Sequence, residues 1–281
     1  MGDKQRTIEK EVKVTGIGLH TGKVSNMLFK PAKEGTGYIF KRTDLKENPI
    51  IRADVDNVVD TARGTTLEQN GHRIHTVEHA LAAVYSLGID NLEMEMDGPE
   101  VPIMDGSSHP FLLALESAGI KEQEADKDYF VLEENLTYED EERQTEMLAV
   151  PQDEFRVTVM VDYHSRILGT QHASMYHLGE FKSEISQCRT FVFLRELEQL
   201  AKNGLIKGGD LDNAIVLVNE IPTQEKLDEL ADLLDKPHVQ IKETGVLNTT
   251  NLIFDNEPAR HKLLDIVGDL ALVGKPIKAH I

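Results

Sequence analysis

The chain has a single cysteine, Cys188, and no tryptophan in its 281 residues. One cysteine excludes an internal disulfide and any CxxC metal knuckle. With no tryptophan and 5% aromatics there is no stacking platform for single-stranded nucleic acid. No apolar run approaches the ~18–20 residues that a membrane-spanning helix requires. The opening stretch, MGDKQRTIEKEVKV, is polar and has no apolar signal core, which makes the cytoplasm the expected location. Positive charge is scarce: 30 Lys and Arg face 49 Asp and Glu, for a formal net charge of −19. Such a field repels nucleic acid and anionic lipid over most of the surface, and leaves room only for a local basic pocket for a small anion. No GxSxG occurs, so a serine-esterase elbow is unsupported.

What is present is ordinary for a globular protein: 40% hydrophobic and 28% charged residues. The length suits one large domain or two of ordinary size. The charged, turn-like stretch KEQEADK suggests a boundary, giving halves 1–126 and 127–281. In the first half, residues 7–14 and 24–29 read as strands around the loop GIGLHTG. Residues 74–87 carry Ile74, Val77, Leu81 and Val84 at helical spacing, with Gly88 as the stop. LEMEM (92–96) alternates as a half-buried strand does, and 110–118 reads as a helix. In the second half, 129–138 and 155–163 are strand-like, and 189–203 is an amphipathic helix closed by Gly204. A short buried strand falls at 214–218, Thr223 caps a helix running to Leu234, and 258–273 is a helix with Pro258 in its first turn and Gly274 beyond its end. Strands and helices mixed in each half predict α+β, as two layered domains. The acidic run 139–142 reads as a solvated hairpin. Asn135-Leu-Thr137 and Asn248-Thr-Thr250 match glycosylation acceptors that a cytoplasmic chain would not use.

Two clusters carry chemistry. His75-Thr-Val-Glu78-His79 is HxxEH, the inverted zinc-protease pattern, in which both His bind metal and Glu is the base. Its plain alternative is two unremarkable His on a helix. The second cluster is the helix at 258–273, apolar around much of its circumference but carrying His261, Asp265 and Asp269 at spacing four. Buried carboxylates and an imidazole need partners, a cation or a cavity. A catalytic zinc site takes three protein ligands and an open position. One His of the first helix with His261 and Asp265 makes such a set, and so does the protease arrangement with a downstream Glu; spacing leaves both open. The loop GIGLHTG misses GxGxxG by one position and reads more simply as a tight turn. Cys188 beside Arg189 reads as a buried structural thiol.

Taken in order, GIGLHTGK (16–23), IHTVEHALAAVYSLGIDN (74–91), PEVPIMDGSSHPF (99–111), CRTF (188–191) and RHKLLDIVGDL (260–270) resemble the UDP-3-O-acyl-N-acetylglucosamine deacetylases, zinc amidases of lipid A biosynthesis. The resemblance covers nearly the whole chain. It implies two similar layered α+β domains with the active site at their junction, and Zn2+ on His79, His261 and Asp265, with Fe2+ as an alternative ion. It also implies Glu78 as general base, Thr190 and Lys262 beside the tetrahedral intermediate, and Asp269 orienting a catalytic His. Phe191, Arg143 and His20 become substrate-binding residues, and His75 a bystander. The segment 191–216, with Leu197, Leu200, Leu205 and Ile215, becomes an apolar passage for the acyl chain. The implied partner is a UDP-linked acylated amino sugar, met by a monomer. The family's general acid lies in a Gly-His motif beyond the last residue here, and His280 does not match it. That predicts a stretch lacking a final strand and helix, drawn from a longer chain such as a fusion with a 3-hydroxyacyl-carrier-protein dehydratase, which binds zinc but turns over slowly. A peptidase using His75 and His79 and a non-enzymatic module with a buried polar helix are the competing readings.

Overall fold

A computed structural model describes residues 2–234, 236–241, 244–247 and 251–281. The glycosylation-like triplet at 248–250 lies outside the described residues. The fold is a mixture of helices and sheets, so the expected α+β class holds. In the first half a five-stranded sheet runs in the order Val12–Ile17, Val24–Pro31, Leu92–Met96, Tyr38–Arg42, Ile50–Arg52. Its pairs are antiparallel except that Tyr38–Arg42 runs parallel to Leu92–Met96. Alternating Leu92, Met94 and Met96 point inward, as LEMEM predicts. Helices α1 (Glu78–Ser86) and α2 (His109–Ala118) pack beside this sheet and against each other.

In the second half, Phe130–Val131, Ile277–His280, Thr145–Pro151 and Leu136–Asp140 form one sheet. Val157–Asp162 and Thr170–Met175 form a hairpin. Phe191–Phe193, Ile215–Val218 and Gly245–Val246 form a third sheet, accompanied by α3 (Leu194–Lys202) and α4 (Gln224–Leu234). Thr223 caps α4 as expected, accepting from the Lys226 N–H at 3.4 Å. Helix α5 (Glu257–Leu270) continues into a 3-10 turn, Ala271–Val273, and stops at left-handed Gly274. The acidic 139–142 stretch does turn a hairpin, between Leu136–Asp140 and Thr145–Pro151.

Helix α5 lies along α1 and also packs on the Val157–Asp162 hairpin. Every residue of α1 from Glu78 to Tyr85 is buried. One apolar core therefore runs from Ile8 through α1 and α5 to Ala279. Where α1 and α5 meet, an ideal Cβ on Gly268 would stand 2.1 Å from the Glu78 carbonyl oxygen, so only glycine admits this approach.

Four expected elements are redrawn. The strand read at 7–14 is two, Lys4–Ile8 and Val12–Ile17, broken at the charged Glu9-Lys10-Glu11. The strand read at 129–138 is likewise broken between Val131 and Leu136, across Glu133-Glu134-Asn135. The helix read from 189 begins at Leu194, because the apolar run Phe191–Phe193 is used as a strand parallel to Ile215–Val218. The helix read from 74 begins at Glu78. His75 instead pairs with Glu100 as an isolated bridge, its N–H donating to the Pro99 carbonyl at 2.8 Å. Thr76 then turns the chain with φ +60. His75 and His79 thus do not share a helical face.

Candidate metal centre and active-site cavity

Three side chains from two helices converge. His79 enters from the first turn of α1, and His261 and Asp265 stand one turn apart on α5. Asp265 Oδ1 lies 3.7 Å from His79 Nε2 and 3.4 Å from His261 Nε2. One ligand atom from each of the three falls within 4.8 Å of the others. The imidazoles meet edge to face at 4.9 Å between centroids. His261 Nδ1 donates to the Cys188 carbonyl at 2.9 Å, which leaves Nε2 as the lone-pair nitrogen facing Asp265.

The electrostatics match a cation's donor set. Burial holds His79 down at about 3 and drives His261 the same way, so both rings are neutral. Burial pushes Asp265 up, but His261, Lys262 and His79 outweigh it, and the carboxyl stays below the usual range. Two neutral imidazoles and one carboxylate are what a catalytic transition-metal ion takes. A metal is thus well accommodated by the residues present.

Two more carboxyls stand beside this cluster. Glu78 is buried, and desolvation, reinforced by Asp265, raises its pKa to about 8. Its Oε2 accepts from the Thr65 N–H at 2.9 Å. Thr65 also donates its hydroxyl to Asp269 Oδ1 at 2.6 Å, so one residue holds both carboxyls. Burial raises Asp269 to about 6. Lys262 Nζ donates to Asp265 Oδ2 at 3.3 Å and lies 5.7 Å from the centre of the Phe191 ring. Phe191 in turn meets His261 edge-on at 6.4 Å. Thr190 is fixed through its backbone, its N–H donating to Gly106 and its carbonyl accepting from Ile215, each at 2.8 Å.

All of these groups line a single cavity of about 1410 Å³. An apolar part of the lining, its apolar arm, comes from α3 and α4 through Leu194, Leu197, Leu200, Leu227 and Leu230. The rim carries His20 and Arg143. His20 is held by its backbone N–H on Glu100 Oε1 at 2.8 Å, while Arg143 sits exposed in a hairpin turn with Asp140.

Sequence comparison decides the family. The family model for UDP-3-O-acyl N-acetylglycosamine deacetylase matches residues 5–232 and 234–281. The chain belongs to this deacetylase family. A "Bifunctional enzyme LpxC/FabZ" of Chlorobaculum tepidum is 50% identical over 280 residues, covering 99% of this chain and 60% of that protein. A UDP-3-O-acyl-N-acetylglucosamine deacetylase of Myxococcus xanthus is 40% identical over 278 residues, covering 99% of this chain and 80% of the relative. One of Chlamydia trachomatis is 38% identical, covering 100% and 90%. The chain therefore spans 60% of the length of the bifunctional relatives it matches.

The ten residues that the resemblance assigns to catalysis, metal or substrate all line the cavity: Glu78, His79, Thr190, Phe191, His261, Lys262, Asp265, Asp269, Arg143 and His20. His75 is not among the lining residues; its ring hydrogen-bonds to Thr66 at 3.0 Å, so HxxEH is not a metal pair here. Of the expected passage residues, Leu197 and Leu200 line the apolar arm, whereas Leu205 and Ile215 do not. His280 is a strand residue bonded to Thr158 and also lies away from the lining. Cys188 is buried, its thiol pushed up to about 12 by desolvation, and it contributes its carbonyl rather than its sulfur. Sequence reasoning missed Thr65 and Glu100. The buried Glu100 carboxylate accepts from the backbone N–H groups of His20 and Thr21, and an added Cβ on Gly18 would stand 2.3 Å from it.

Proposed function

We propose that this chain is the deacetylase unit that hydrolyses the acetamide of UDP-3-O-acyl-N-acetylglucosamine, releasing acetate and UDP-3-O-acyl-glucosamine for lipid A biosynthesis. The observation that carries it is the His79–His261–Asp265 cluster, its two histidines buried, with Glu78 beside it, opening into a cavity that has an apolar arm. An acyl chain suits that arm, and the amide suits the cluster. The matched relatives carry the same reaction in their names.

His79, His261 and Asp265 hold the ion, proposed as zinc with Fe(II) as its alternative. When bound, the ion supplies Lewis-acid polarisation of the amide carbonyl and acidifies water. Glu78 takes the water proton; its carboxyl is unsolvated and held by Thr65, so it is aimed and poised. In this reading Lys262 and Thr190 donate to the developing oxyanion, each such donor being worth ~3–4 kcal/mol. Thr65 and Asp269 form the hydrogen-bonded support on the far side of Glu78. Phe191 forms an apolar wall against His261 and excludes water. His20 and Arg143 on the rim are placed for the polar, anionic part of the substrate. The finer architecture in this reading is two layered α+β domains, 1–126 and 127–281, with the site at their junction, acting as a cytoplasmic monomer. No helix among the described residues is long and apolar enough to cross a membrane.

The test combines metal content per chain with acetate release. Wild type and His75→Ala are expected to retain close to one metal ion, and His261→Ala to lose it. Glu78→Gln is expected to keep the metal and release acetate at least about 100-fold more slowly. Metal lost by His75→Ala and kept by His261→Ala would instead support a peptidase arrangement.

A further inference from the structure

Glu100 is a buried carboxylate beside the glycine-rich loop GIGLHTG, and it is not itself among the cavity-lining residues. Its main chain is held on both sides. The Glu100 carbonyl accepts from the Ser25 hydroxyl at 2.7 Å, Pro99 and Val101 bond to the His75 backbone, and Pro102 bridges to Gly18. The side chain therefore starts from a fixed point. Its two oxygens are divided between successive N–H groups of the loop: Oε1 accepts from His20 and Oε2 from Thr21, each at 2.8 Å. Thr76 adds its hydroxyl to Oε1 at 3.4 Å. A carboxylate bonded to two neighbouring backbone N–H groups is a charge-assisted clamp on that turn. The turn also closes on itself, the Gly22 N–H donating to the Gly18 carbonyl at 2.9 Å, and the Gly208 N–H of the second half donates to the Leu19 carbonyl at 3.0 Å. The His20 ring has little to orient it directly. Its Nε2 donates to the Arg63 carbonyl at 3.3 Å, and its Nδ1 is buried with no partner among the described residues. The place of the ring on the cavity rim thus follows from the backbone beneath it.

We propose that Glu100 is a positioning residue: by clamping the turn at His20 and Thr21 it presents the His20 ring to the anionic part of a UDP-linked substrate. The inference rests on the deacetylase reading above, which supplies the anion on the rim. Two N–H groups need two acceptor oxygens. Glutamine has the same shape but replaces one oxygen by an NH2 group, which would set donor against donor at one of the two loop amides. The same clamp can be disturbed from the opposite side. An added Cβ on Gly18 would overlap both the Glu100 carboxylate and the Thr21 hydroxyl.

The experiment measures the affinity of the zinc-loaded protein for free UDP by titration calorimetry, with metal content determined on each sample. Wild type, His20→Ala, Glu100→Gln, Gly18→Ala and the double variant His20→Ala/Glu100→Gln are compared. Wild type should bind UDP, and each single variant should bind about tenfold or more weakly, the loss typical of a hydrogen bond to a charged group. All should keep close to one metal ion per chain. The double variant should bind within about twofold of His20→Ala, because a clamp that acts through His20 has nothing left to act on. Gly18→Ala keeps the test alive should Glu100→Gln fail to fold. Wild-type UDP affinity in folded Glu100→Gln, or in Gly18→Ala if only that variant folds, overturns the positioning role and leaves the deacetylase reading intact. A double variant far weaker than His20→Ala also overturns it, since Glu100 would then support the rim generally. Wild-type affinity in His20→Ala removes His20 from the subsite and the proposal with it. Wild type that does not bind UDP overturns the UDP-sugar reading together with the positioning role.

Discussion

Glu78 shows how a single residue's surroundings set its chemistry. Its carboxyl is buried beside Asp265, so its neutral form is favoured and its pKa rises to about 8 in the metal-free chain. A group raised in the folded state binds its proton more tightly there than in the unfolded chain. Its contribution is complete below the unfolded value of 4.5 and is lost as pH climbs through about 8. His79 and His261 are shifted downward and Asp269 rises only to about 6, so above pH 6.5 Glu78 is the site's remaining shifted carboxyl. Metal-free wild type should therefore lose on the order of 1–2 kcal/mol more stability than Glu78→Gln between pH 6.5 and 8, measured by denaturant unfolding. An equal loss in both proteins would show that Glu78 is already ionised at pH 6.5. Adding the metal should remove the difference, because a nearby cation favours the carboxylate. The residues of this site were legible to different degrees. His261, Asp265 and Asp269 stood out because a polar stripe on an otherwise apolar helix needs an explanation. Thr65 did not, because its partners Glu78 and Asp269 are 13 and 204 residues away and no local pattern announces them.

At the scale of elements, the pairing of α1 with α5 makes the site. Both were visible in the sequence through their periodicity, but the start of α1 was not. The apolar spacing from Ile74 continues the helical pattern backward, while Pro99–Val101 captures His75 into a bridge and Thr76 takes a left-handed turn. That competition comes from a segment distant in sequence, so only the folded chain reveals it. The same applies to Phe191–Phe193, which reads as a helix start until the strand Ile215–Val218 is there to pair with it. Gly268 marks where the two helices touch. Gly268→Ala places a methyl group against the Glu78 carbonyl and must push α1 from α5, moving His79 away from His261. The expected cost is about 1–3 kcal/mol of stability, as for other overpacked sites. Metal affinity should fall with it, read in the same protein by competition with a chelating dye. Unchanged metal affinity in a destabilised Gly268→Ala would mean that the helices can part without disturbing the ligands.

For the molecule as a whole, the ligands come from opposite halves of the chain and from the middle of one continuous core. Composition and hydropathy could forecast an α+β protein with such a core. They could not forecast the sheet orders, because neighbours such as Tyr38–Arg42 and Leu92–Met96 pair across long loops with no local register signal. Metal binding therefore acts on the whole fold. Unfolding separates His79 from His261 and Asp265, so an ion bound only by the folded chain stabilises it by mass action. With free zinc at about a hundred times its Kd this is worth about 2.7 kcal/mol, or roughly 5–10 °C in melting temperature for a chain of this size. A chelator should lower the melting temperature of wild type by that amount. His261→Ala should melt at one temperature with or without the chelator, since its ligand set is already broken. The competing case is a buried polar network that holds no ion, with His261 on Cys188 and Asp265 on Lys262. In that case chelation would leave wild type unmoved while His261→Ala would still be destabilised by the cavity it leaves and the unpaired Cys188 carbonyl. The two proteins with and without chelator separate these cases, because only a bound ion makes the effect of the chelator depend on His261.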